Sequence, residues 1–232
     1  MWRGVVSSDR CDGMATAGFV GPNGAKGEGL DEVDGRTDDT GLLHHEKVEF
    51  TGEGFAVVGT GSSAIQAIPH VAREAKQVTV FQRTANYAVP AHNGSLDPDV
   101  EKKIKAHYAE MRARAKTTGG GLDVVYNQDS IHDATPEERN AAFESNWQRG
   151  GLGFMSAFGD LMMDKSANDI AAEVVRDKIR ALVNDPETAE NLCPKNIIGA
   201  KRFCVDIDYF ETYNRDNVAL IDVGDNPIEA IT

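Results

Sequence analysis

Positive charge is scarce in this chain: 24 Lys and Arg stand against 37 Asp and Glu, for a net charge of −13 over 232 residues. Nucleic-acid backbones are held by an excess of Lys and Arg, and a strongly acidic field repels anionic membrane surfaces as well, so neither is expected as a partner. Long apolar runs are also missing. No stretch approaches the roughly 18 to 20 consecutive apolar residues that cross a bilayer, and the N-terminus lacks the charged, greasy and small-residue order of a signal peptide. These absences predict a soluble, cytoplasmic protein. Cysteine is sparse, and Cys11, Cys193 and Cys204 match neither a disulfide framework nor a zinc site, which leaves reduced, structural thiols and no metal. Nor is there an internal repeat at periods of about 20 to 50 residues. What remains is ordinary globular composition, 41% hydrophobic and 26% charged, with room for one large domain or two modest ones.

Residues 1–40 are rich in glycine and acid, as in Gly21–Gly29, and carry no pattern for a long helix or strand. Order begins at Phe55-Ala-Val-Val58, a short apolar run that reads as a buried strand. Ile65, Ile68 and Val71 then recur at helical spacing, and Val78-Thr-Val-Phe81 reads as a second strand. From Asp97 to about Pro194 the pattern is helical. Asp97 caps a helix with Pro98 at its first position, and Val100, Ile104, Tyr108 and Met111 share one face. The run Lys102-Lys103-Lys105 reads as the wet face of that helix. Thr135-Pro-Glu-Glu138 and Ser166-Ala-Asn-Asp169 fit capping patterns. Ile170, Val174, Ile179, Leu182 and Val183 form a stripe, with Trp147, Phe154, Phe158, Leu161 and Met162 expected as core. Strand signal returns at Val218–Val223, followed by a turn at Gly224–Pro227 and a last strand over Ile228–Ile231. The fold class predicted is α/β: a Rossmann-like dinucleotide-binding domain with a parallel sheet, interrupted by an α-helical insertion. Its expected divisions are a linker over 1–50, the first part of the nucleotide domain over 51–96, the insertion over 97–194 and the second part over 195–232.

The chemistry sits between the first two strands. Gly59-Thr60-Gly61-Ser62-Ser63-Ala64 follows a strand and opens a helix, the context that gives a glycine fingerprint meaning. Gly59 permits the tight turn, Gly61 lets backbone approach a diphosphate, and Ala64 allows close helix–strand packing. Ser62 and Ser63 add amides and hydroxyls at the positive end of the helix. An ordinary glycine-rich turn is the competing reading. NAD binders place an acid about 20 residues beyond the fingerprint, whereas this strand ends Phe81-Gln82-Arg83-Thr84. Arg83 offers a planar fork for a 2′-phosphate, with Thr84 as a hydroxyl donor, so NADP is expected over NAD unless Arg83 is simply a solvated surface residue. Lys201-Arg202 is a second local cation pair, suited to neutralise phosphate or a developing anion, or else a surface pair.

Val57–Gln66, Val80–Thr84 and Gly199–Arg202, with Asp208–Val218 and Pro227–Thr232, occur in the order and spacing of one family. Over about residues 29–232 the chain resembles the flavin-containing Baeyer-Villiger monooxygenases of the cyclohexanone monooxygenase type. The resemblance implies an enzyme that uses FAD, NADPH and O2 to convert ketones to esters or lactones. By matching position, Gly59, Thr60, Gly61, Ser62, Ser63 and Gln66 would lie along NADPH. Arg83, Thr84 and Lys201 would recognise its 2′-phosphate, and Arg202 would be the catalytic arginine.

Two departures qualify what is implied. The family fingerprint F-x-G-x-x-x-H-x-x-x-W corresponds here to Val33–Leu43, where Gly35 matches but Asp39 replaces the His and Leu43 the Trp. No second glycine fingerprint follows a strand, so the resemblance implies a central fragment, inactive alone because the FAD fold is absent. The alternatives are a non-catalytic NADP-binding module, or part of an N-hydroxylating or sulfur-oxidising flavin monooxygenase. His44-His45 lacks a third metal ligand, and Ser62-Ser63 lacks the hydrolase elbow. Substrate identity and oligomeric state are not encoded in any pattern of this sequence.

Overall fold

The computed structural model describes residues 5–7, 37–39, 49–118, 121, 123–124, 126–226 and 228, the first two segments by backbone alone. The glycine-rich 21–29 stretch, Cys11, His44-His45 and all but Ile228 of the expected last strand lie outside the described residues, as does the 33–43 fingerprint apart from its 37–39 backbone. The described contacts group into two compact units, one formed by 1–89 and 172–232, the other by 90–171.

The first unit is built on a five-stranded sheet. Its strands are β1 (Val5–Ser7), β2 (Thr37–Asp39), β3 (Gly54–Val58), β4 (Gln77–Gln82) and β7 (Val218–Asp222), in the order β2-β1-β3-β4-β7. Every pairing is parallel. The α/β reading therefore holds, and β3 and β4 fall where the two apolar runs predict them. β1 and β2 come from the segment in which the sequence shows no long element; three residues are too few to leave a periodic signal.

Between β3 and β4 runs α1 (Ser62–Glu74), which buries Ala64, Ile65, Ile68, Val71 and Ala72 and packs on β4. Burial of each Ile or Val side chain contributes about 1.5 to 3 kcal/mol. Pro69 sits inside α1 and is itself buried. Its missing N–H leaves the Ile65 carbonyl without the usual helical donor. β5 (Ala88–Pro90) pairs with β6 (Cys204–Asp206) in a separate two-stranded sheet, and α6 (Tyr209–Thr212) packs with β6 on α1. Asp208 leads into α6 at φ 60° and pairs with Arg73 at 3.0 Å.

In the second unit, α2 (Pro98–Ala115) starts as read, with Asp97 accepting from the amides of Asp99 and Val100. Its apolar face, however, buries nothing: Val100 and Tyr108 are exposed. Periodicity establishes the helix, but only a partner element could bury its stripe. α3 (Pro136–Arg149) carries the full capping box between Thr135 and Glu138. It stops at Gly150, whose φ of 70° suits glycine, and an added Cβ would lie 2.5 Å from the Pro90 carbonyl. A 3-10 segment, Gly151–Ser156, follows. Phe143, Phe154, Phe158 and Trp147 form an aromatic cluster and Ile131 and Leu161 are buried too, whereas Met162 is exposed, contrary to expectation.

α4 (Lys165–Leu182) also corrects two readings. Its first amides are met by Asp164, which accepts from the Ala167 N–H and the Ser166 hydroxyl, so the acid two residues earlier takes the capping role assigned to Ser166. Its buried stripe is Ala167, Ala171, Val175, Ile179 and Val183, with Ile170 and Val174 only half-buried. Two of these five are alanines, and a reading weighted to large residues passes over them. α5 (Pro186–Leu192) is capped by Asp185, whose carboxylate accepts from the Thr188 N–H.

Candidate functional site

The C-terminal ends of β3 and β4 place the glycine turn beside the turn that carries Arg83. Gly59 has φ 97°, a conformation favouring glycine, and its N–H donates to the Phe81 carbonyl at 2.8 Å. Gly61 is the residue before α1, extended at φ −76° and ψ 178°, and no side chain caps the helix. No acid stands in the first turn. The first intrahelical bond runs from Ile65 N–H to the Gly61 carbonyl, so the amides of Ser62, Ser63 and Ala64 point outward from the positive helix end. Ser62, Ser63 and Gln66 are exposed, and Ala64 is fully buried, as close helix–strand packing requires. A thirteen-residue helix with free leading amides, no carboxylate of its own and glycine at the approach fits a diphosphate.

Thr60 joins the two turns. It is buried, its hydroxyl donates to the Thr84 carbonyl at 3.0 Å, and its own carbonyl accepts from Asn86 Nδ2 at 2.6 Å. Arg83 and Thr84 are exposed just beyond β4. The nearest acid in register, Asp222, opposes Gln82 across the β4–β7 pair, but its carboxylate accepts from the Gly224 N–H in a local turn. Among the described residues no carboxylate pairs with Arg83, Lys201 or Arg202. An unpaired guanidinium beside a free hydroxyl suits a 2′-phosphate.

Lys201 and Arg202 occupy a loop that turns through Gly199, at φ 86°, before β6. Both are exposed, and no hydrogen bond or ion pair joins them to the Arg83 turn. The sheet thus brings Gly59, Thr60, Gly61, Ser62, Ser63, Arg83 and Thr84 together, while Lys201 and Arg202 stand on a separate loop. That loop begins and ends on Tyr87, a residue the sequence does not single out. The Tyr87 hydroxyl lies 2.8 Å from the Asn196 carbonyl and 3.2 Å from that of Pro194. One phenolic proton serves one acceptor, and Arg176 Nε supplies Pro194 at 2.9 Å, so the proton goes to Asn196. Arg176 Nη2 donates to the Tyr87 oxygen at 3.0 Å. The Tyr87 ring stacks on Phe203, centroids 6.2 Å apart, and its carbonyl accepts from the Cys204 N–H at 3.1 Å. Burial is the main influence on this phenol and raises its pKa, keeping it a neutral donor.

Gln82, Asn86, Tyr87 and Arg176 are structural partners that sequence reasoning missed. Gln82 is buried, with Nε2 donating to the Asn191 carbonyl at 2.7 Å. A polar residue in a strand and an arginine on a helix carry no local mark of a partner more than eighty residues away.

Other constellations do not build a site. His132, Asp164 and Ser166 cluster on the surface, but a single nitrogen, Nε2, faces both Asp164 Oδ1 (3.3 Å) and Ser166 Oγ (3.1 Å). A catalytic triad needs the two ring nitrogens to face different partners. The Ser166 hydroxyl, then the Ala167 amide and His132, hold the Asp164 carboxyl well below the usual range, as a cap does. Among the described residues no group of three or more His, Cys, Asp or Glu gathers to hold a metal. Cys193 and Cys204 are buried, and among the described residues no helix is long and apolar enough to cross a membrane.

No protein-family model matches the chain. It is 38% identical over 213 residues to the Baeyer-Villiger monooxygenase of Pseudooceanicola batsensis, a match covering 90% of this chain and 38% of that protein. A solved structure of oxidized steroid monooxygenase bound to NADP is 46% identical, with a TM-score of 0.78 over 81% of this chain and 36% of that one. The open crystal structure of cyclohexanone monooxygenase is 36% identical, with a TM-score of 0.85 over 90% of this chain and 41% of that one. Over most of its length the chain is therefore homologous to flavin monooxygenases of the Baeyer-Villiger, cyclohexanone-monooxygenase type, and it spans well under half the length of the relatives it matches.

Proposed function

We propose that this chain is the NADPH-binding part of a flavoprotein monooxygenase that uses FAD, NADPH and O2 to oxygenate small ketones to esters or lactones. The observation that carries the reading is the uncapped, acid-free N-terminus of α1, tied through Thr60 to a turn that presents Arg83 without a competing carboxylate. In this reading the amides after Gly61 and the Ser62 and Ser63 hydroxyls hold the diphosphate, with Gly59 and Thr60 shaping the turn and Gln66 alongside. Arg83, Thr84 and Lys201 take the 2′-phosphate. Arg202 offers a planar guanidinium to stabilise negative charge developing on the carbonyl oxygen. When bound, NADPH supplies a hydride and FAD accepts it and carries the oxygen chemistry. A cytoplasmic setting belongs to the same reading.

The test is calorimetric titration of the 232-residue chain with NADPH and with NADH, after recording its flavin absorbance. NADPH binding at least about tenfold tighter than NADH is the expected result, corresponding to a charged contact worth about 1.4 kcal/mol or more. Equal affinity for the two would remove the 2′-phosphate assignment, and failure to bind either would remove the proposal.

A further inference from the structure

We propose that Tyr87 is a positioning residue that fixes the Lys201–Arg202 loop, and through it sets the preference for NADPH over NADH. The inference rests on the reading of Lys201 given above. Three different parts of one side chain and its backbone take three points on the loop. The hydroxyl holds its start at the Asn196 carbonyl, the ring stacks on Phe203 near its end, and the carbonyl takes the Cys204 amide. Between those points the loop has no regular structure. Ile198 is buried, the Ala200 N–H donates to the Ile197 carbonyl at 3.2 Å, and Lys201 and Arg202 stand exposed.

Tyr87 also lies three residues beyond Thr84, on the segment leaving the Arg83 turn. The turn and the loop share no hydrogen bond of their own, so Tyr87, close to the one in sequence and bonded to the other, couples their positions. Arg176 prevents the phenol from swinging to other acceptors. It occupies the phenol oxygen with Nη2 and the Pro194 carbonyl with Nε, while Glu173 braces the guanidinium through Nη1 at 2.8 Å.

The substitution Tyr87→Phe keeps the ring and the carbonyl and deletes only the hydroxyl. In the full chain, amide exchange at Ala200 and Cys204 is expected to quicken about fivefold to tenfold, the effect of losing one hydrogen bond, with Val57 and Val80 unchanged. NADPH affinity should fall by a similar factor while NADH affinity stays the same. In a Lys201→Ala background the Tyr87→Phe loss should disappear, because contacts acting through one residue are not additive. Unchanged exchange in the loop overturns the proposal. So does exchange that rises equally in β3 and β4, which would mark a general fold defect, or an NADPH loss of equal size in both backgrounds. If Tyr87→Phe does not fold, Arg176→Gln leaves the phenol in place, frees it from its lock and is read by the same exchange. Should the unsubstituted chain bind neither nucleotide, the reading of the site falls, and the exchange experiment still decides whether Tyr87 holds the loop.

Discussion

Arg83 directly follows a strand in which Val78, Thr79 and Val80 are buried, yet its own side chain is exposed and pairs with no acid among the described residues. A guanidinium left unpaired in a chain with a net charge of −13 is a poor candidate for fold stability and a good one for an anion. Arg83→Ala should weaken NADPH by about tenfold to a hundredfold, the range of a charge-assisted hydrogen bond of about 1.5 to 3 kcal/mol, and leave NADH and the melting temperature unchanged. Titration of both nucleotides with a thermal melt checks this, and equal losses for NADH would show that Arg83 does not read the 2′ position. Residues of this kind are legible in a sequence because position alone singles them out: one residue past an apolar strand, about twenty past a glycine fingerprint. Asn86 and Tyr87 are not, since their roles depend on Thr60, Asn196 and Arg176, partners that only the fold brings near.

Helix starts were legible at Asp97-Pro98 and Thr135–Glu138, where a proline or a hydroxyl–acid pair marked them, while the same mark at Asp185-Pro186, where α5 begins, went unread. The start of α4 shows the limit of that signal. Ser166 fits a capping pattern in sequence, but its hydroxyl donates to Asp164, which accepts the Ala167 amide and lies at the positive helix end. Asp164→Ala should therefore lower the melting temperature more than Ser166→Ala at neutral pH. The sign of the pH dependence follows from the depressed carboxyl. Asp164 stabilises the fold above the ordinary carboxylate range near pH 4, and that contribution fades as pH falls through its lower folded value. The gap between Asp164→Ala and the parent chain should accordingly narrow in acid, as melts from neutral pH down to about pH 2 would record. A gap independent of pH would mean that Asp164 acts through packing. α2 illustrates the opposite limit, a face written clearly in the sequence whose burial depends on elements elsewhere.

At the scale of the molecule, the strand–helix–strand unit of β3, α1 and β4 was readable because its elements are local and its strands long enough for a pattern. The placement of β7 beside β4, and of β1 and β2 beyond β3, was not, because strand neighbours are chosen by side-chain packing across the sheet. The first unit also stores an alkaline sensitivity. Tyr209 and Tyr213 are buried with their hydroxyls 3.0 Å apart, and burial raises both pKa values above the ordinary 10. Their contribution is full below about pH 10, where folded and unfolded phenols are both neutral, and declines as pH rises from there towards the folded values. Between about pH 10 and 12 the phenolate absorbance of this pair should grow in step with loss of circular dichroism, and Tyr209→Phe should shift that alkaline transition upward. Absorbance that developed while the spectrum of the fold stayed intact would contradict the burial.

The order of the sheet also dictates an order in time. β4 bonds to β3 on one edge and to β7 on the other, yet Val218 follows Gln82 by the whole helical stretch. During synthesis, β4 must therefore wait with a row of unpaired amides and carbonyls and a largely apolar face until the distant strand leaves the ribosome. Such an edge invites pairing with other chains. A tendency to aggregate while folding is thus favoured by the connectivity itself, independent of any nucleotide.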